Sequence, residues 1–340
     1  MPAYNFEPQK KSARNLILSA NSQLAAGTVF ADLKLTRRIR FDGAAVLEQK
    51  PTRIDDKDMS GKGTEFATEN QITNWDASFS VKGKADDWWT AWALAFVMGA
   101  DTLTAGPPAV HAFAFDETTT QAKMTNLYLE DTADVKAKYP DFAVSDLTLS
   151  YAGKGAVGLE VALISTGRWT DGAMAALPAL PTDAYFMNAD TVFSLGPFGA
   201  PVSMVGRFMS ATLKISSGVV SHTAPGGGEY GIFMRTGLRK FSLQAVVAAK
   251  DTDDIRTLMN GDTMAAISIV TTSGALPSIL DIEIPKFKLK ANKLGVDGNM
   301  VTWAIELDET TALKVVGEAP VDALTATVTN TQATAYLVGV

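Results

Sequence analysis

Two histidines, three aspartate pairs and a tryptophan trio are the residues whose types could support chemistry. His111 and His222 lie far apart, each without a second histidine or a carboxylate at ligand spacing. Neither a metal site nor a histidine general base is expected from them. Asp55/Asp56, Asp86/Asp87 and Asp253/Asp254 are neighbours in the chain. Catalytic carboxylates must converge from separate elements, whereas adjacent aspartates ahead of a helix cap it and complement its dipole. "GKGT" (61–64) lacks the frame of a phosphate loop, and "APGGGEYG" (224–231) follows no buried parallel strand. "GLRKF" (237–241) is a small basic patch that reads as the solvated start of a strand. No serine sits in G-x-S-x-G. No catalytic, cofactor-binding or metal-ligating residue is assigned, and no enzyme is expected.

The tryptophans remain. "KADDWWTAWALAFVMGA" (84–100) carries Trp88, Trp89 and Trp92. Asp86 or Asp87 is a good N-cap, so a helix is expected to about Met98, with Gly99 as its stop. Trp88, Trp92, Ala95 and Phe96 would share one face, and Trp89, Ala93 and Val97 the other. A helix that is apolar all round is buried on all sides. Either the following segment folds over it or another subunit does. A cofactor or sugar site would need convergent polar groups, and only Thr90 is at hand. Trp88, Trp89, Trp92, Phe96 and Val97 are therefore read as core or as a subunit interface.

The chain has 340 residues, with 37 acids, 30 bases and a formal charge of -7. Tight nucleic-acid binding needs clustered Lys and Arg, so it is not expected. Cysteine is absent, which excludes disulfides and thiolate chemistry. "MPAYNFEPQKKSARN" lacks the apolar core of a signal peptide. The longest strongly apolar run, 88–100, is short of the roughly 20 residues of a membrane span.

Period-two alternation dominates. Strands are expected at 30–43, 76–83, 142–150, 157–165, 211–216, 241–249, 265–272, 281–291 and 301–307. Several blocks recur in the same order. "DLKL" (32–35) matches "TLKI" (212–215), and "GTEF" (63–66) matches "GGEY" (227–230). "SFSVKGKADDWWTAW" (78–92) matches "AVVAAKDTDDIRTLM" (245–259), and "VGLEVALIST" (157–166) matches "VTWAIELDET" (301–310). Collinear repeats point to duplication. The second copy's helix, around Ile255, Leu258 and Met259, is an ordinary amphipathic one. The expected layout is an arm (1–27), a first domain (28–170, with an insertion at about 100–141), a linker (171–202), a second domain (203–315) and a C-terminal arm (316–340). The nearly uncharged, strand-like tail suggests a partner for it.

The order "GTEF…NWDASFSVKGKADDWWTAWALAFVMGA", then "FAVSDLTLSYAGKGAVGLEVALISTG", resembles the tail tube proteins of long-tailed bacteriophages, in particular the type with two tandem tube domains. "RTGLRKFSLQAVVAAKDTDDIRTL" and "DIEIPKFKLKA" fit the same pattern. The resemblance implies a mainly β chain of two tandem β-sandwich tube domains, each with one short flanking helix. It implies trimeric, pseudo-hexameric rings stacked into a hollow virion tube, assembled in the host cytoplasm. DNA would pass through without specific binding, and the partners would be further copies and other tail proteins such as tape measure, baseplate or tip, and terminator. No cofactor, metal or membrane is implied. Leu159, Val161, Leu163, Trp303, Ile305 and Leu307 should face the sandwich core. Glu160 and Glu306 then become candidates for the lumen or a subunit contact, in a lumen expected to be acidic or neutral. The competing expectation is a β-sandwich carbohydrate-binding or adhesive virion module, with the tryptophans as a stacking platform.

Overall fold

The structure is a computed structural model. It describes residues 15–42, 47–56, 69–116, 118, 122–130, 136–222, 230–237, 239–250, 254–260, 264–273, 278–289, 291–298, 300–307 and 322–339. The blocks at 61–66 and 227–229, Asp253 and the first half of the N-terminal arm lie outside them.

The chain is mainly β. It opens with β1 (Asn15–Leu18) and β2 (Arg37–Arg38), followed by β3 (Leu47–Asp56) and β4 (Glu69–Lys84). Helix α1 (Asp87–Met98) leads into the hairpin β5 (Gly99–Thr104) and β6 (Ala109–Phe115). Then come β7 (Thr125–Glu130), β8 (Lys136–Ala152), β9 (Gly158–Ser165) and β10 (Thr170–Asp171). The second half holds β11 (Thr191–Pro197), β12 (Val202–Ser203), β13 (Phe208–Ser216), a small hairpin of β14 (Val219–His222) and β15 (Ile232–Arg235), and β16 (Lys240–Ala248). Helix α2 (Asp254–Asn260) precedes β17 (Ala265–Thr272), β18 (Ile279–Phe287), β19 (Ala291–Asp297), β20 (Met300–Leu307) and β21 (Thr325–Asn330).

Among the described residues these strands form two large antiparallel sheets and the separate two-stranded β14–β15 hairpin. Through the larger runs the order β3-β4-β9-β8-β13-β16-β20-β19. β7, β1 and β2 branch from the N-terminal half of β8. The smaller sheet has the order β12-β11-β17-β18-β21-β6-β5. Both halves of the chain contribute to both sheets and to one apolar cluster. Alternation explains the core: Leu159, Val161, Leu163, Ile305 and Leu307 are buried, Trp303 packs against them half-buried, and Glu160 and Glu306 point away.

Several expectations change. The 30–43 stretch is no long strand, since Asp32–Lys34 is a 3-10 turn and only Arg37–Arg38 pairs. The Asp32 side chain pairs with Lys138 and accepts from Ala175 N at 2.9 Å, which outweighs the local alternation. The match of 32–35 to 212–215 therefore joins a turn to a strand. The match of 78–92 to 245–259 holds for the helices but slips in the strand. Val81 lies opposite Val161, and Ala245 opposite Ile305, so Val81 and Ala245 are equivalent. The aligned blocks set Val81 three residues away, and an odd slip exchanges the two faces of a strand. The segment 99–115 is no extra either: α1 is followed by the hairpin β5–β6 as α2 is by β17–β18. The C-terminal tail finds its partner within the chain, because β21 fills the gap between β18 and β6.

Candidate functional site

Among the described residues, three places bring chemistry-bearing side chains together: the ends of α1, a buried histidine, and the exposed face of the large sheet with its edges.

All twelve residues of α1 are buried. The helix lies between β8 and β13 on one side and β5, β6 and β21 on the other. Trp88, Trp89, Trp92, Phe96 and Val97 are thus core residues of the single chain and are not available to a neighbouring subunit, as the interface reading required. Nor do the three tryptophans form an exposed stacking platform. Trp92 Nε1 donates to Ser19 O at 2.8 Å, and its ring packs on Trp88 and Phe96. Gly83 makes room for Trp89, because a Cβ there would stand 2.9 Å from its ring. The C-cap Gly99 has φ 88°, which favours glycine.

At the other end Asp86 Oδ1 accepts from Trp89 N at 2.7 Å. Asp86, Asp87 and Asp183 place carboxylate oxygens within 4.8 Å of one another. Their neighbours explain the cluster. Arg37 pairs with Asp183, Arg40 Nη2 donates to the Asp183 carbonyl at 2.7 Å, and Ser278 Oγ donates to Asp87 at 2.7 Å. This is a capping network with its own cations. Asp183 and the two arginines were not legible as partners, because they come from the linker and the segment before β3.

Burial pushes the Asp86 carboxyl up to about 6, with the adjacent Asp87 charge adding to it and the Trp89 N–H opposing it. The folded state therefore holds this proton more tightly than the unfolded chain does. The contribution to stability is complete below the ordinary value of 3.8 and is lost as pH rises to about 6. Asp86→Asn keeps the cap acceptor and removes the titration. The variant should flatten the fall in stability between pH 4 and 6.5 by about 3 kcal/mol, at 1.36 kcal/mol per pKa unit. Urea unfolding of both proteins across that range checks this.

His111, on β6, is buried. Its Nδ1 lies 3.1 Å from Asp101 Oδ1 and its Nε2 lies 2.9 Å from Gln332 O, with both side chains closed to solvent. Asp101 also accepts from Tyr336 N at 2.6 Å. The pair ties the chain end to β5 and β6. His111→Ala would leave Asp101 and a carbonyl short of partners, at about 2–3 kcal/mol. Thermal unfolding reads the loss. An earlier loss of amide protection at 330–337 than in the β8–β9 hairpin would locate it.

The exposed face of the large sheet carries Lys82, Lys84, Lys214 and Lys240 against Asp146, Glu160, Asp297 and Glu306, with Ser and Thr between them. Among residues whose side chains are described, this face is balanced in charge. Glu160 pairs with Lys82 at 3.1 Å and accepts from Ser80 Oγ at 3.1 Å, while Glu306 is exposed opposite Gln244. Lys214 pairs with Asp146 at 3.4 Å beside a cavity of about 420 Å³ under the β14–β15 hairpin. Pairs as exposed as these contribute little to stability. Their consequence is that the described side chains of this face present no strong field.

No family model and no curated protein matches this chain. No helix among the described residues is long and apolar enough to cross a membrane.

The strand order of the large sheet is repeated. β3-β4-β9-β8 is followed by β13-β16-β20-β19, and β8 pairs with β13 where the two sets meet. In each set the third strand pairs with the second and fourth, and the registers match: Leu147 and Val81 flank Val161 as Asn292 and Ala245 flank Ile305. The two outer strands, β3 and β19, each have a partner on one side only among the described residues.

Proposed function

We propose that this chain is a structural virion protein that polymerises as stacked rings into the hollow tail tube of a long-tailed bacteriophage. Two tandem tube domains per chain make a trimeric ring with pseudo-six-fold symmetry, and genomic DNA passes along the bore to the host. The chain acts by assembling and does no catalysis. Further copies and other tail proteins are its partners.

The observation that carries the reading is the head-to-tail order of the large sheet. Four strands and then four equivalent strands join edge to edge by antiparallel pairing. The joint inside the chain can be repeated between chains, with β19 of one copy beside β3 of the next. An even number of alternating strands leaves those two edges antiparallel to each other, so a ring of identical copies closes without a strand mismatch. Closure also removes both exposed edges, which are otherwise sites of uncontrolled pairing. The charge-balanced face is the bore side in this arrangement, and it would let phosphates slide instead of holding them.

Negative-stain microscopy of the concentrated protein tests the proposal. Rings or tubes of uniform diameter are expected. Featureless monomers across the accessible concentration range would sink it.

A further inference from the structure

The equivalent positions of the two strand sets differ sharply in one respect. Leu149 faces Leu159 in the first set as Leu294 faces Trp303 in the second, and one step further Tyr151 and Val157 correspond to Val296 and Val301. Leu149, Tyr151 and Val157 are 0%, 1% and 0% exposed, whereas Leu294, Val296 and Val301 are 57%, 76% and 46% exposed. All six lie on the core-side face of the large sheet. In the first set this face is closed by α1 and by the strand that continues the sheet, β13. In the second set Ile305 and Leu307 on this face are buried and Trp303 is half-buried, but Leu294, Val296 and Val301 stay exposed. Leu294 and Val296 on the edge strand β19, with Val301 beside them on β20, form an apolar strip of the kind that marks an interface.

Resting on the ring reading above, we infer that this strip is the seat of a second copy of the chain, and that the internal β8–β13 joint fixes the register between copies. The registers transfer directly. Leu149 lies opposite Leu213 across the internal joint. Leu213 lies opposite Leu243, and Leu47 opposite Phe79; Leu243 and Phe79 are themselves equivalent, since they lie opposite Leu307 and Leu163. Leu47 is therefore the counterpart of Leu213, and Leu294 the counterpart of Leu149. Leu294 of one copy lies directly opposite Leu47 of the next, and Asn292 opposite Gln49. The contact is heterologous: the β19 edge meets a β3 edge, never another β19. An odd slip would set Leu294 beside a position of β3 that belongs to the opposite face and leave the strip unmatched, so one register is strongly specified.

The absence of cysteine makes the test direct. Leu294→Cys and Leu47→Cys are prepared separately in the full chain, mixed in equal amounts, assembled and mildly oxidised. Directly opposite positions bring Cβ atoms to about 4.5–5.5 Å, against about 7–8 Å for diagonal ones, so disulfide formation discriminates register. A two-chain disulfide should form in the mixture and in neither variant alone. Asn292→Cys mixed with Leu47→Cys should link at least tenfold more slowly. Assembled rings that lack the Leu294–Leu47 link, or that show it from one variant alone, would overturn the register while leaving the ring reading in place. Unlinked protein that stays monomeric at every concentration would overturn both.

Discussion

Trp92→Ala is expected to lower the unfolding free energy by about 3–5 kcal/mol, the range for truncating a large aromatic in a packed core. The site cannot relax to fill the space. Trp92 is 0% exposed, its ring lies 4.9 Å from Phe96 and 6.5 Å from Trp88 between ring centres, and its Nε1 proton satisfies the Ser19 carbonyl. The substitution removes that donor as well as the volume. A loss of this size is a large share of the typical stability of a domain, so the variant should unfold at much lower denaturant with an unchanged slope. Chemical denaturation followed by tryptophan fluorescence and circular dichroism measures it. An interface residue would behave differently, with the monomer intact and assembly impaired. A monomer of wild-type stability would return Trp92 to the surface.

The same helix shows what could be read from the chain and what could not. That α1 is buried on every side followed from its composition, because no polar stripe runs along it. What buries it did not follow. β21 lies more than two hundred residues downstream and enters the small sheet between β18 and β6, and nothing local in "TATVTN" names those neighbours. Periodicity located β8, β9, β13, β16 and β20 well, because each has one wet and one dry face. It failed at Asp32, where a carboxylate bound by Lys138 and a backbone N–H folds an alternating stretch into a turn. It also failed to align β4 with β16, since a longer connection before α2 shifts the strand by an odd number of residues. The β19 strip was out of reach for a related reason. "ANKLGVDGNMV" alternates much as "LSYAGKGAV" does, and only the ladder registers reveal that Val296 is the exposed counterpart of buried Tyr151.

Val296→Glu is expected to block ring formation while leaving the monomer folded. The side chain is 76% exposed in the single chain, and substitutions at such positions usually stay within about 0.5 kcal/mol of wild type. Thermal unfolding of the dilute protein should therefore not move. In the ring the same position becomes the counterpart of Tyr151, which is closed to solvent. Burial of the valine contributes about 1.5–3 kcal/mol to each joint, and burying a carboxylate without a partner adds a penalty of several kcal/mol. Even a combined loss of about 3 kcal/mol per joint raises the concentration needed for assembly on the order of 100-fold, and closure requires every joint in the ring. Val296→Leu, which keeps an apolar side chain, should assemble close to normally and serves as the control. Sedimentation velocity over a concentration series separates the outcomes. A Val296→Glu protein that forms rings at the wild-type concentration would place this strip outside the joint, and one that unfolds would show that the strip already belongs to the core of the single chain.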